Sequence, residues 1–298
     1  MRTTKRFTPQ VLQRFNRQGR GHGTFADYIP WHCVSRGDPA SRGRSHLQMW
    51  RHRQCELLSD HEWVILLFVL MLLKLMDVRE QFPLSHEEAA HELGTYRADV
   101  GDQRFPGTLA IAQKLGFRHP ITTEGKESEN WVMSTDFLLA LRNETGAIEL
   151  LAIAVKTEEE SRHKRKRQLL AIEREYWRVR GVTWLLITPA LYDAEVGLNL
   201  RMQMPWMLGD PAPESAQQAA ADSVRRFPGR SLTFVLNQLT LTLGDIDLAQ
   251  RAFWQAVLVG KIRMKLLRGW RPHQPVIVLP EADFVAQNPI ALRRSAWI

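Results

Sequence analysis

Cysteine is almost missing. The 298 residues hold two, Cys33 and Cys55, which form neither a disulfide framework nor a thiolate metal spacing, so a reducing cytoplasm fits. Long apolar runs are missing too. The longest, Trp63 to Met76, contains Lys74 and is shorter than the roughly 20 residues of a membrane span, so it reads as a buried helix. No apolar stretch follows Met1-Arg2-Thr3-Thr4-Lys5-Arg6, so neither a signal peptide nor a membrane partner is expected. Acids are scarce at one end. Residues 1–53 carry eleven Lys/Arg against Asp27 and Asp38 alone, an excess larger than the net +8 of the whole chain. An evenly spread charge is thereby excluded, and an anionic partner is implied.

What is present supports real cores: 44% hydrophobic residues and ten Trp, in a length that suits two domains or one with extensions. Residues 1–30, with Arg17-Gln18-Gly19-Arg20-Gly21-His22-Gly23, read as a basic arm or irregular wrap rather than a helix, and Ser41-Arg42-Gly43-Arg44-Ser45 as a flexible basic loop. Arg17, Arg20, Arg42 and Arg44 are the candidate phosphate contacts there. His22, His32 and His46 read as polar surface residues.

Further along, Met76 to Leu84 reads as a strand ended by Pro83. Ser85-His86-Glu87-Glu88 reads as the cap of a short helix, 96–107 as a loop, and Thr108 to Leu115 as a second helix stopped by Gly116. Glu158 to Arg180 has acids first, bases later and apolar residues at helical spacing, which predicts one long amphipathic helix. Its Lys164 and Lys166 are further candidates for DNA contact. Trp184 to Thr188 is a strand. The order predicts an α/β mixed sheet flanked by helices. Residues 191–230 read as a linker. In 231–298, an apolar stretch over Leu232 to Leu243, a helix capped by Asp247 running through Leu267 with Gly269 as its stop, and a strand at Pro275 to Pro280 suggest a small winged-helix-like docking domain.

Two short apolar stretches, Ser134 to Leu139 and Leu151 to Lys156, flank the turn Arg142 to Ala147 and predict a hairpin. Asp136 lies on its first strand and Lys156 ends its second. Two readings of Glu62 stand side by side. In Ser59-Asp60-His61-Glu62 it completes a capping box, or it is a carboxylate aimed at the hairpin. An acid, a gap of twenty residues and a Lys ending an apolar strand resemble the layout of PD-(D/E)xK nucleases.

Asn16 to Gly21, Ser41 to His46, Leu57 to Glu62, Asp77-Val78-Arg79-Glu80-Gln81-Phe82-Pro83-Leu84, His119-Pro120, Ser134 to Leu138 and Ile172 to Trp177 resemble, in order, the TnsA family. This is the restriction-endonuclease-like subunit of Tn-seven-type heteromeric transposases. The resemblance runs over residues 16–190. It implies a restriction-endonuclease-like fold, with 1–56 as a DNA-contacting extension and 57–190 as the nuclease core. It also implies a Mg²⁺-dependent (or Mn²⁺-dependent) endonuclease that nicks the 5′ ends of a transposon, in the cytoplasm of a bacterium, at the nucleoid. Double-stranded DNA, a TnsB-like DDE transposase and a TnsC-like AAA+ regulator contacting the C-terminal domain would be its partners. Catalysis would fall to Glu62, Asp136 and Lys156, and the metal to Glu62, Asp136 and the Val155 carbonyl. One position departs from the pattern. Ala154 stands two residues before the Lys, where a TnsA family member has Gln and most PD-(D/E)xK enzymes have an acid, and Glu149 falls on the opposite strand face. A non-catalytic adaptor with a decayed site is therefore the rival expectation.

Overall fold

The computed structural model describes residues 7–40, 44–268 and 271–297. Arg2, Lys5, Arg6, Arg42 and Gly269 lie outside them. In chain order the elements are α1 (Pro9–Arg17), β1 (His46–Trp50), β2 (Arg53–Leu57), α2 (Asp60–Leu70), β3 (Leu75–Pro83), β4 (Ala89–Ala90), β5 (Arg104–Phe105), α3 (Thr108–Lys114), β6 (Ile121–Glu124), β7 (Glu127–Asn130), β8 (Ser134–Arg142) and β9 (Ile148–Val155). They continue with α4 (Glu158–Arg162), α5 (Lys164–Val179), β10 (Thr183–Ile187), α6 (Ala194–Met207), α7 (Glu214–Arg226), α8 (Leu232–Leu243), α9 (Ile246–Leu258) and α10 (Glu281–Ala286). The chain divides into two compact units, one of residues 1–63, 74–188 and 296–298, the other of 64–73 and 189–295.

The first unit is built on a mixed sheet of order β10-β9-β8-β3, in which β9 and β10 are parallel and the other pairs antiparallel. The β8–β9 hairpin is closed by Asn143, whose Oδ1 accepts from the Thr145 and Ala147 amides at 3.0 and 2.9 Å. Gly146 sits there at φ +82°, a conformation that side chains resist. The crossover from β9 to β10 runs through α4 and α5, the usual route between parallel neighbours. α5 lays Ile172, Tyr176 and Trp177 on Leu138, Ala140, Ala152, Ala154 and Leu186 of the sheet, and these form one buried cluster. By area bookkeeping each such large side chain contributes about 1.5–3 kcal/mol.

The single helix expected over Glu158 to Arg180 is broken at His163, which is extended (φ −66°, ψ 122°) and lets α5 start afresh. A capping box of Thr157 and Glu160 begins α4. Ser85 to Glu88 form no helix. Their carbonyls are used elsewhere: Ser85 and His86 accept from Thr108 and Leu109 and so start α3. Gly107 makes this approach possible, since a Cβ there would lie 2.0 Å from the His86 oxygen.

The N-terminal stretch is folded where an irregular arm was expected. Thr8 caps α1 by accepting from the Val11 amide, and Pro9 takes the first turn, where its missing N–H is harmless. Leu12 and Phe15 then close on Trp31 in a small core. β1 and β2, also unforeseen, pair as a hairpin. Arg20 is buried and donates to the Trp31 carbonyl at 2.9 Å and to Asp38 Oδ2 at 2.8 Å. Ala296 donates to the Leu186 carbonyl at 2.8 Å, bringing Trp297 against Trp184.

In the second unit the expected linker is mostly helical. α6 and α7 occupy about two thirds of 191–230, and Ala216, Ala220, Ala221 and Val224 are the buried face of α7. Leu232–Leu243 is the helix α8, capped by Ser231 and stopped by Gly244. The next helix is capped by Asp245, not Asp247, and ends at Leu258, not Leu267. Pro275 to Pro280 carry two isolated bridges, Ser231 with Pro275 and Met264 with Val278, in place of a strand. The apolar helix α2 ends at Leu70, well short of Met76, because Leu75 already belongs to β3. No helix among the described residues is long and apolar enough to cross a membrane.

Truncating Asp38 leaves the Arg20 guanidinium buried without its counter-charge. Breaking such a pair costs about 3–5 kcal/mol, so Asp38→Ala should lower the unfolding free energy by that amount in a urea titration. An unchanged midpoint would show that the N-terminal segment is not part of the cooperative unit.

Candidate active site

The period of two along β8 and β9 puts Asp136, Ala154 and Lys156 on the sheet face that α5 covers. Asp136 is buried, and its Oδ2 accepts from Lys156 Nζ at 2.5 Å and from the Val155 amide at 2.6 Å. Lys156 Nζ also donates to the Val155 carbonyl at 2.9 Å. Two of the expected features, the acid and the lysine, thus meet directly, and the Val155 carbonyl points to the same spot. Burial alone would lower the Lys156 ammonium. Asp136, Glu173 and Glu62 outweigh it and hold that group above its ordinary value, so it stays charged.

Glu62 fits the capping reading. It takes part in the cap, receiving Ser59 Oγ at 3.1 Å while its own amide donates to that oxygen, and it accepts from the Leu58 amide at 2.9 Å. It also shares the field of Asp136 and Lys156. Burial first, and then the charge of Asp136, push its carboxyl up to about 7.

Two residues absent from the sequence-based set complete the surroundings. Gln81 lies between the ladder pairs Glu80–Phe137 and Phe82–Thr135, which places it across from Asp136. Its backbone is left-handed (φ +50°), a conformation that costs a non-glycine residue about 1–3 kcal/mol. Its side-chain amide donates to Glu62 Oε2 at 2.9 Å, and its carbonyl accepts from the Trp31 amide at 3.1 Å. The second is Glu173 on α5. Its Oε1 accepts from Thr135 Oγ1 at 2.9 Å and Trp184 Nε1 at 3.0 Å. Burial raises Glu173 to about 7, with Asp136 adding to the rise and Lys156 opposing it. Asp136, Lys156, Glu173, Glu160 and Lys166 together line an open cavity of about 250 Å³.

Ala154 is fully buried in register with Leu186. Glu149 is exposed and pairs with Leu141 at the opposite end of β9, roughly 20 Å from Lys156 along the strand. Besides Asp136, the Glu173 carboxylate reaches this face, delivered by the helix. Among the described residues no three His, Cys, Asp or Glu side chains converge as a ready metal shell. Glu62 and Asp136 are all-oxygen donors of the kind a hard divalent cation accepts, with water completing the shell.

The basic candidates separate. Arg17 and Lys164 are exposed. Arg44 is exposed and 3.6 Å from Asp60. Lys166 pairs with Glu160 at 2.5 Å on the rim of the cavity. Arg20 is corrected: it is buried, and its guanidinium is paired with Asp38 inside the fold rather than displayed on an arm.

Residues 76–189 match the family model described as TnsA-like endonuclease N terminal. Among characterised proteins, the Transposon Tn7 transposition protein TnsA of Escherichia coli is 30% identical over 204 residues, 67% of this chain and 63% of that protein. The chain thus spans slightly less than two thirds of that relative's length. Asp136, Lys156, Gln81 and Glu173 all fall inside the stretch matched by the family model, and Glu62 precedes it. The chain is thus TnsA-like, with the family's N-terminal endonuclease domain over residues 76–189.

Proposed function

We propose that the chain is a metal-dependent DNA endonuclease that nicks the 5′ ends of a transposon. It acts beside a TnsB-like transposase and a TnsC-like regulator that docks on the C-terminal helices. The observation that carries this reading is the direct Asp136–Lys156 contact at the end of β9, with Glu62 in the same electrostatic field. Asp136, Glu173 and Glu62 all act on the one lysine, and groups perturbed together by burial and a charged partner are candidates for a functional site. The kinship with TnsA supports the substrate and the transposition role.

Glu62 and Asp136 would hold one or two Mg²⁺ (or Mn²⁺) ions, with the Val155 carbonyl as a further oxygen donor. When bound, the ion supplies positive charge at the scissile phosphate and lowers the pKa of the attacking water. Lys156 turns its ammonium towards that water and offsets the negative charge that grows on the phosphoryl oxygens. Gln81 fixes the orientation of Glu62 through its amide. Glu173 occupies the face where Ala154 offers no ligand and holds Thr135 and Trp184 beneath Asp136. Arg17, Arg44, Lys164 and Lys166 are the exposed cations placed to meet the backbone, so duplex binding should fall steeply with salt.

The rival reading, an adaptor that bridges DNA and the regulator without cutting, rests on Ala154 alone. Transposition products separate the two. In Mg²⁺ a cutting subunit yields simple insertions, and Asp136→Ala should convert them to cointegrates, with 5′-strand nicking reduced roughly 10²–10³-fold. Nicking that survives Asp136→Ala unchanged would remove the assignment.

Glu173→Gln keeps size and acceptor and removes only the charge. It should retain the native unfolding midpoint while slowing single-turnover nicking roughly tenfold or more. A normal rate would leave Glu173 a packing residue. Ala154→Glu should not improve the enzyme. An acid buried there without a partner costs several kcal/mol, about 3 or more, which thermal unfolding would register as a lower midpoint.

A further inference from the structure

A buried cation that the nuclease reading leaves unused is Arg79. It lies on β3 and is 2% exposed, and its Nε and Nη2 are buried without a hydrogen-bond partner. Its guanidinium rests against the rings of Phe82 and Tyr96, with centroids at 4.6 and 5.0 Å. Arg79 lines a cavity of about 400 Å³. Trp31 lines the same cavity, and its Nε1 is also buried and unpartnered. The carboxylate on that wall, Glu92, is already taken by Arg180 at 3.1 Å and by the Tyr176 hydroxyl. The unmet demand is therefore entirely for acceptors: three N–H groups, two of them on a cation. Each buried donor left unmet costs about 1–3 kcal/mol. All three belong to residues that line one cavity, and an anion there would answer the demand.

The position says which anion. Arg79 stands two residues before Gln81 on the same strand, about 7 Å away. The Trp31 amide donates to the Gln81 carbonyl, and the Gln81 side chain holds Glu62. Segment 131–134 is a shared wall: Val132 faces the Arg79 cavity, while Trp131, Met133 and Ser134 line the cavity of Asp136 and Lys156. We propose that the Arg79 cavity is a second phosphate site, separate from the cleavage centre, which takes a backbone phosphate of the same DNA strand within a nucleotide or two of the one cut. The DNA source rests on the nuclease reading, whereas the anion site itself does not.

The test uses the full chain in two arms. In the first, thermal unfolding is followed in inorganic phosphate and in chloride at matched ionic strength. Phosphate should raise the midpoint of the wild type and of Asp136→Asn. Arg79→Met should be at least as stable in chloride, because it removes an unpaired buried charge, and should lose the phosphate effect. Trp31→Phe removes the donor together with the five-membered ring, so it is read against its own midpoint in chloride; it should weaken phosphate about tenfold and carries the arm if Arg79→Met does not fold. An equal phosphate shift in wild type, Arg79→Met and Trp31→Phe overturns the site. In the second arm, duplexes with one neutral methylphosphonate linkage, moved stepwise along the cut strand, are bound to Asp136→Asn. One linkage near the scissile phosphate should weaken binding about tenfold, and that penalty should vanish when Arg79→Met is added. If no linkage couples to Arg79, the cavity serves free phosphate only and the DNA assignment is wrong. Cleavage that persists in Asp136→Ala would sink the nuclease reading and leave the phosphate shift of the first arm standing.

Discussion

A carboxylate and an ammonium held 2.5 Å apart where β9 ends is the contact around which the first unit is arranged. Neither group would be stable there alone, since burial penalises both charges. The sheet supplies the pairing by register. β8 and β9 are tied by an unbroken antiparallel ladder from Phe137–Ile153 to Arg142–Ile148, and the Asn143 turn closes it. Shifting that ladder by one residue would turn Asp136 away from Lys156 and drive the apolar face of β9 out of the core.

Around this pair the fold gathers more negative charge than packing needs. Glu62 enters from the start of α2 and Glu173 from the middle of α5, and both are raised to about 7 mainly by burial. Gln81 is kept in a left-handed conformation to reach Glu62. Each of these features opposes stability, and each lies within one cluster. The opposition is offset by the surrounding core, where Tyr176, Trp177, Ile172 and the small residues of β9 are closed to water. Small side chains at Ala152 and Ala154 let α5 approach closely enough for Glu173 to hydrogen-bond Thr135 of β8.

What could be read from the sequence was local. The hairpin, the strand ending at Pro83, the Ser59–Glu62 cap and the final strand of the sheet each follow from a few neighbouring residues. Asp136 and Lys156 stood out for that reason, whereas Glu62 joined them only through the family resemblance. Arg20 was misread because its partner, Asp38, lies eighteen residues away across an irregular stretch. Gln81 and Glu173 carry no local mark, since one matters through a backbone conformation and the other through contact with strands far off in the chain. The helical content of 191–230 was hidden by its Gly, Pro, Ala and Gln, although the buried alanines of α7 recur at helical spacing. The break at His163 has no counterpart in composition.

The central claim is that the Asp136–Lys156 pair is the hydrolytic centre. The most direct measurement is single-turnover nicking of a transposon-end duplex in Mg²⁺ by the reconstituted complex, comparing wild type with Lys156→Met. Met keeps the stem and removes the ammonium, and DNA binding and the unfolding midpoint are followed in parallel. A rate lower by about 10²-fold or more, with DNA still bound, is the outcome expected of a lysine that acts on the transition state. An unchanged rate in a folded, DNA-bound variant would contradict the claim and move the chemistry elsewhere in the complex.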